Sequence, residues 1–377
     1  MTLRALRLTN FKRFLDVEIA LSPLTVLTGV NGGGKTSVLH GLLLAHQASA
    51  GAQPPEFVEL NGPFGLELGE VQDVFHLDAD PEDGIGVTLR DRADVSYTWR
   101  FGGSDDRSLN LRVLERPPEA PQALRGGARG FTYLSAERLG PRDVLGASSV
   151  AMDDLHVGHQ GEFTAHVLAV LDRRLHVAPG RQHARTAASG GVITLRQQVE
   201  WWLSEIARPV MLDAEWLPGS GVTLIRYRTP GRPVDRARPT NMGFGVTYAL
   251  PVVTAALMAP AGSLLLVENP EAHLHPSGQS AIGAFLAQVA ADGVQVILET
   301  HSDHVINGIR RAVATAKQLA ATDAAIQFFS ADADDRPRVA PIAILPHGEL
   351  SEWPPGFFDQ MDTDLAEIAR MRRRGRP

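Results

Sequence analysis

Apolar and polar positions alternate through residues 3–8 and 14–21, which read as short strands, and the run 24–28 is apolar enough for a buried one. A glycine-rich turn follows, and the apolar spacing from Lys35 to Gln47 predicts a helix. Strand, glycine turn and helix in this order open a phosphate-binding α/β unit. Between residues 50 and 130 the period becomes two. After Pro54 and Pro55, Val95, Tyr97, Trp99 and Phe101 share one face, and Ser96, Thr98 and Arg100 the other. Leu109, Leu111 and Val113 repeat the alternation, so half-buried antiparallel strands are expected there, a β-rich flank to the first lobe.

From about 160 to 207 the spacing is helical again, with Phe163, Val167, Val170 and Leu171 on one face and Trp201 and Trp202 in a second helix over 197–206. Residues 180–191 between them are rich in Arg, Ser and Gly and read as a mobile loop. Strands return at 210–215 and 222–228. The last third alternates strand and helix: 263–267, 277–290, 294–299, 303–319 and 326–330. The chain therefore divides into a first core part (1–49), the β-rich flank (50–130), a helical insertion (131–215), a second core part (216–330) and a C-terminal extension (331–377), all α/β in class.

Composition narrows the chemistry. Of 377 residues, 44% are hydrophobic and 21% charged, the balance of a chain that buries a core. Cysteine is absent, which excludes disulfide frameworks, thiol catalysis, Cys-ligated zinc and iron–sulfur clusters. Acidic residues number 43 against 36 basic, a net charge of −7, so any contact with DNA has to be local. Residues 241–267 carry no charge, long enough to span a bilayer. Gly243, Gly245, Pro251, Pro260 and Gly262 break the run, which reads as a buried helix and strand. The first residues lack the apolar core of a secretory leader, so a cytoplasmic protein without membrane contact is expected.

Three motifs carry the chemistry. Gly29-Val30-Asn31-Gly32-Gly33-Gly34-Lys35-Thr36 fits G-x-x-x-x-G-K-[ST], with Ser37 following. Its glycines let backbone N–H groups turn inward onto phosphate, Lys35 adds a point charge and Thr36 a hydroxyl for Mg²⁺. The helix that follows turns its positive end to the same anion. The apolar run 264–267 ends in Glu268, where nucleotide hydrolases hold Mg²⁺. Glu271, His273 and His275 lie just beyond, a set that also suits a transition metal. Finally, residues 294–299 deliver Thr300 and His301 to the C-terminal end of a strand, the edge at which open α/β sheets bind ligands. There His301 either polarises a γ-phosphate or simply caps a helix.

Together these motifs resemble the ABC-type ATPase core of the RecF, SMC and OLD (overcoming-lysogenization-defect) group, and Leu6-Arg7-Leu8-Thr9-Asn10-Phe11-Lys12-Arg13-Phe14 is similar to that group's opening strand. Leu134–Arg142 resembles an arginine-bearing strip of the compact OLD-like bacterial ATPases, and Gly161-Glu162 and the stretch from Trp353 to Gln360 are also similar to that subgroup. Many of its members lie beside nuclease genes or in phage-defence operons. The resemblance implies a P-loop NTPase of ABC type that binds ATP with Mg²⁺. Gly29, Asn31, Gly32, Gly33, Gly34, Lys35, Thr36 and Ser37 would hold the nucleotide. Asn241, Gly243 and Gly245 stand where the signature loop meets the γ-phosphate on a second subunit, which implies a head-to-tail homodimer. Gln72 would stand in for the glutamine that reaches Mg²⁺, beside Thr36 and Glu268.

Two departures matter. The ABC pattern ends its second motif in Asp-Glu, with Glu as the base; this chain has Glu268-Asn269, and an amide cannot take a proton at neutral pH. Glu271 then assists, with Glu268 and His301, or hydrolysis is slow and binding itself is the switch. The signature is also reduced to Asn241-x-Gly243-x-Gly245. Only residues 331–377 follow the last core strand, too few for the TOPRIM nuclease domain of roughly a hundred residues that full OLD nucleases append. Asp332-Ala333-Asp334 therefore reads as a solvated turn. Arg226, Arg228, Arg232, Arg236 and Arg238 suit either DNA phosphates or a solvated strand face. The expectation is a switch ATPase that controls a separate effector such as a nuclease, in phage defence or DNA repair. The alternatives are an ATP-modulated binder of DNA ends or gaps and a transporter ATPase subunit.

Overall fold

Strands that are apolar at every position need cover on both faces, and two layers supply it. The computed structural model describes residues 2–374 apart from 52, 104, 126, 128, 232–235, 316 and 317, with backbone alone for 236, 360, 362 and 372–374. A hairpin of β1 (Leu3–Phe11) and β2 (Phe14–Ala20) precedes β3 (Leu24–Gly29) and α1 (Lys35–Gln47). The flank holds β4 (Phe57–Glu59), the one-turn α2 (Val71–Val74), β5 (Ile85–Asp91), β6 (Ser96–Gly102), β7 (Asn110–Glu115) and α3 (Gln122–Arg125). Next come β8 (Phe131–Leu134), β9 (Val144–Gly146), α4 (Thr164–Leu171), α5 (Leu195–Ile206), β10 (Met211–Leu217), β11 (Val222–Arg228) and β12 (Arg236–Ala237). The chain then runs through α6 (Phe244–Met258), β13 (Leu264–Glu268), α7 (Pro276–Ala291), β14 (Gln295–Glu299), α8 (Asp303–Ala314), β15 (Ala324–Ala331), β16 (Pro337–Ala343) and α9 (Gln360–Arg374).

The core sheet has the order β16-β15-β3-β14-β13-β8. All its pairs are parallel except β15–β16. The order puts β14 between the phosphate-loop strand and β13. Alternate residues serve different cores: Leu264, Leu266 and Ile297 face α1 and the antiparallel sheet β2-β1-β5-β6-β7-β4, while Leu265, Val267, Val296 and Leu298 face the layer of α5 to α8. Because α1 lies between two sheets it is apolar nearly all round, burying Val38, Leu39, Leu42, Leu43 and Leu44. Gln295 joins the layers, accepting from Leu3 N at 2.9 Å and donating to Leu3 O at 2.7 Å.

The alternation expected of the flank is present in β5 and β6, with Trp99 and Phe101 fully buried. Val95 departs from it, half exposed in the turn before β6. Residues 131–215 hold α4 and α5, yet they also give β8 to the core sheet and β9 to a smaller sheet with β10, β11 and β12. That distribution rests on long-range pairing, so the segment read as a helical insertion carries β8 and β9 besides the strand expected from 210. Residues 180–191 are not a free loop throughout. The buried Arg181 donates to Ala256 O and Asp292 Oδ2, and Gly180 O and Trp202 Nε1 bond across the same segment. The uncharged run 241–267 becomes the buried α6 and β13, and among the described residues no helix is long and apolar enough to cross a membrane. Asp332 Oδ1 accepts from Asp334 N and Arg336 N in the exposed β15–β16 turn.

Candidate functional site

The phosphate loop is shaped by contacts that only glycine permits. Gly29 has φ 133°, and a Cβ there would lie 1.9 Å from Phe329 O on the adjacent β15. Gly34 has φ 100° at the start of α1, packed onto the Phe14 ring. Asn31 and Gly32 form the exposed tip; Gly33, Lys35 and Ser37 are buried. Lys35 Nζ donates to Gly29 O at 3.2 Å and Val30 O at 2.9 Å, and lies 3.8 Å from Glu299 Oε1. Burial lowers its pKa and Glu299 opposes that shift.

Facing the loop is a group of carboxylates. Glu268 ends β13 with both oxygens engaged: Oε1 accepts from Tyr133 Oη at 2.8 Å and Oε2 from Ala136 N at 3.1 Å. Burial raises its pKa against those two bonds. Glu299 ends β14 in register with Glu268 and accepts from Thr36 Oγ1 at 2.9 Å. Burial first, and then the neighbouring Glu268, push its carboxyl up to about 7. Glu271 accepts from His301 N at 2.9 Å through Oε1. Its Oε2 is buried without a well-formed hydrogen bond, Thr300 lying beside it, and burial raises this carboxyl too. His301 is exposed at its rim and lines a cavity of about 120 Å³ with Thr28, Gly29, Val30 and Phe358; partial desolvation of the ring, and then Lys35, lower its pKa.

The turn after β13 is clamped from behind. Arg138 is buried, donating to Glu268 O and Asn269 O at 2.6 Å each, while Asn269 takes φ 42°. The guanidinium lies 5.5 Å from the Tyr248 ring on α6. The transition-metal alternative does not assemble. His273 packs on Phe244 and Tyr248, and His275 caps α7. Among the described residues no three His, Cys, Asp or Glu side chains converge on one point. Oxygen donors at Thr36 and Glu268 fit Mg²⁺, which takes one or two protein ligands and completes its shell with substrate phosphates and water.

Asn241 and Gly243 sit exposed at the start of α6, and Gly245 approaches His273 O. That places the signature-like segment beside the carboxylate turn, at a surface. Gln72 is exposed on α2 and donates to Glu70, so its hydrogen bonding does not bring it to Thr36 or Glu268. Of the arginines, Arg226 and Arg238 lie 3.6 and 3.4 Å from Asp143; Arg232 and the Arg236 side chain lie outside the described residues. Sequence reasoning missed Glu299 and Tyr133 as members of the site. The signal for Glu299 was available, since Leu264–Glu268 and Gln295–Glu299 are both apolar strands closed by glutamate.

Comparison with known proteins follows the same lines. Residues 5–112 match a family model described as an AAA domain, and 235–307 a second AAA-domain model whose description names the AbiEii toxin of a Type IV TA system. Residues 319–368 match a model described as a protein of unknown function, DUF3696. The OLD nuclease of Thermus scotoductus is 21% identical over 330 residues, 80% of this chain but only 59% of that protein's length. The Smc head domain with an extended coiled coil bound to the C-terminal domain of ScpA, from Pyrococcus furiosus, aligns over 98% of this chain and 99% of that one. Its identity is 11% and its TM-score 0.50. The SMC head domain from Thermotoga maritima covers 90% of this chain and 99% of its own at 12% identity and a TM-score of 0.43. Motif, strand order and relatives agree on a P-loop fold like that of SMC heads, in a chain that is similar to an OLD nuclease over 80% of its length.

Proposed function

We propose that this chain is an ATP-operated switch: two copies close head to tail over two Mg-ATP, hydrolyse them slowly, and in closing control a separate effector. A nuclease or a DNA-associated protein suits that place, in phage defence or DNA repair. The observation that carries the reading is the pairing of a complete phosphate loop with Asn269 at the position of the usual base. Lys35 and the loop N–H groups bind phosphate. Thr36 and Glu268 would hold Mg²⁺, which when bound neutralises phosphate charge. Glu271, two residues beyond Asn269, keeps Oε2 buried without a well-formed hydrogen bond, and it would serve as the base once the closed site brings a water to it. Asn269 orients but does not deprotonate, which favours long-lived binding over rapid turnover.

The exposed start of α6, with Gly243 and half-exposed Phe244, suits a surface that meets the nucleotide of a second copy. Direct DNA binding has less support, because Arg226 and Arg238 are both drawn to Asp143. The test is molar mass by light scattering, with and without Mg-ATP, beside Lys35→Ala. An ATP-driven doubling absent from the variant is the expected result; a mass indifferent to ATP in both proteins contradicts the sandwich.

A further inference from the structure

Two glutamates end neighbouring strands at the same level, yet they stand in different relations to the phosphate loop. Because β14 lies between β3 and β13, Glu299 rather than Glu268 is on the strand adjoining the loop. Its Oε2 accepts from Thr36 Oγ1 at 2.9 Å and its Oε1 lies 3.8 Å from Lys35 Nζ. Glu268 has both oxygens committed to Tyr133 and Ala136. It is therefore Glu299, 263 residues from Thr36 in sequence, that fixes the loop's hydroxyl.

We propose that Glu299 is a positioning residue of the nucleotide–metal site, acting through Thr36. A hydroxyl has one proton to donate and two lone pairs to offer. With the proton committed to a carboxylate, only lone pairs remain for a cation, and the hydroxyl cannot turn its hydrogen toward positive charge. Committing the hydrogen in this way also makes the hydroxyl oxygen a better donor to metal. The same carboxylate sits beside Lys35, where it adds negative charge next to the phosphates. Its two effects oppose each other: Glu299 favours the metal-bearing nucleotide and disfavours the metal-free one.

This inference rests on the nucleotide-binding reading above, and the opposition of signs gives it a separate test. A fluorescent ATP analogue is titrated into the whole chain in Mg²⁺ and again in EDTA, and the ratio of the two affinities is the readout. Glu299→Gln is expected to lower that ratio by at least about tenfold, the usual size for a residue behind a metal ligand. In EDTA the variant binds the analogue at least as tightly as the natural chain. Glu299→Asn, one methylene shorter, gives the same pattern and guards against a fault peculiar to one substitution. Thr36→Val lowers the ratio similarly, and the double variant Thr36→Val/Glu299→Gln falls no further than the larger single change.

An unchanged ratio in both Glu299 variants overturns the proposal. So does an equal loss in Mg²⁺ and EDTA, which a merely structural role produces, or strict additivity with Thr36→Val. If the natural chain itself binds no analogue under either condition, the nucleotide-binding reading falls first and this one with it.

Discussion

The phosphate loop and the carboxylates opposite it face each other but are assembled differently. Gly29 to Ser37 are contiguous, and their geometry follows from glycine conformations and from the start of α1. Glu268, Glu271 and Glu299 come from two strands and a turn, and Tyr133 and Ala136, some 130 residues earlier, hold Glu268 in place. A contiguous loop announces itself in sequence. A wall made by strand order does not, because which glutamate meets Thr36 depends on β14 lying between β3 and β13.

The contrast predicts that the loop fails sharply and locally while the wall fails by degrees. Gly29→Ala forces a Cβ into Phe329 O at a φ that only glycine tolerates, and should cost about 3–5 kcal/mol in urea unfolding. Gly32→Ala, whose Cβ meets nothing within 4 Å, should cost only ~1 kcal/mol. Equal losses would erase the distinction within the loop.

Away from both regions, His46 in the last turn of α1 stacks on Phe131 of β8 at 3.8 Å while donating from Nδ1 to Leu124 O. Burial, partly opposed by that carbonyl, lowers its pKa from 6.5 to about 4. The unfolded chain therefore takes up a proton between pH 6.5 and 4 that the folded chain refuses. The stability His46 contributes is complete above 6.5 and declines as pH falls toward 4, by about 3 kcal/mol. His46→Phe should flatten the fall in unfolding free energy across that window by this amount, and an unchanged slope would contradict the assignment.

Glu271→Gln tests the wall where chemistry is expected. Turnover should fall by roughly a hundredfold, with ATP still bound and the closed dimer trapped. Unchanged turnover, measured as phosphate release, moves the base elsewhere. Within the wall the smallest effect belongs to Tyr133→Phe, which removes one of the two donors on Glu268 and should cost about 1–3 kcal/mol by thermal unfolding.

Much of this architecture was legible residue by residue. Apolar runs at 264–268 and 294–299 marked the buried parallel strands, and the Trp99–Phe101 alternation marked a sheet with one covered face. What escaped was non-local. Phe131–Leu134 is a four-residue strand whose place in the core sheet is set by β13, and Arg181 turns an apparently loose polar stretch into a packed one by reaching carbonyls on α6. Glu299 escaped for the same reason: an apolar strand closed by glutamate says that a carboxylate arrives at the sheet edge, but not which neighbour it meets. Gln72 shows the converse, since a suitable distance along the chain put it near Mg²⁺ and the fold leaves its amide on Glu70.

The central claim is that the loop binds nucleotide phosphate through Lys35, and calorimetric titration of ATP into the natural chain and Lys35→Ala tests it most directly. The account predicts saturable binding in Mg²⁺ that weakens by at least about tenfold in the variant, as expected for loss of a charge-assisted contact. Equal affinity in the two proteins would contradict it.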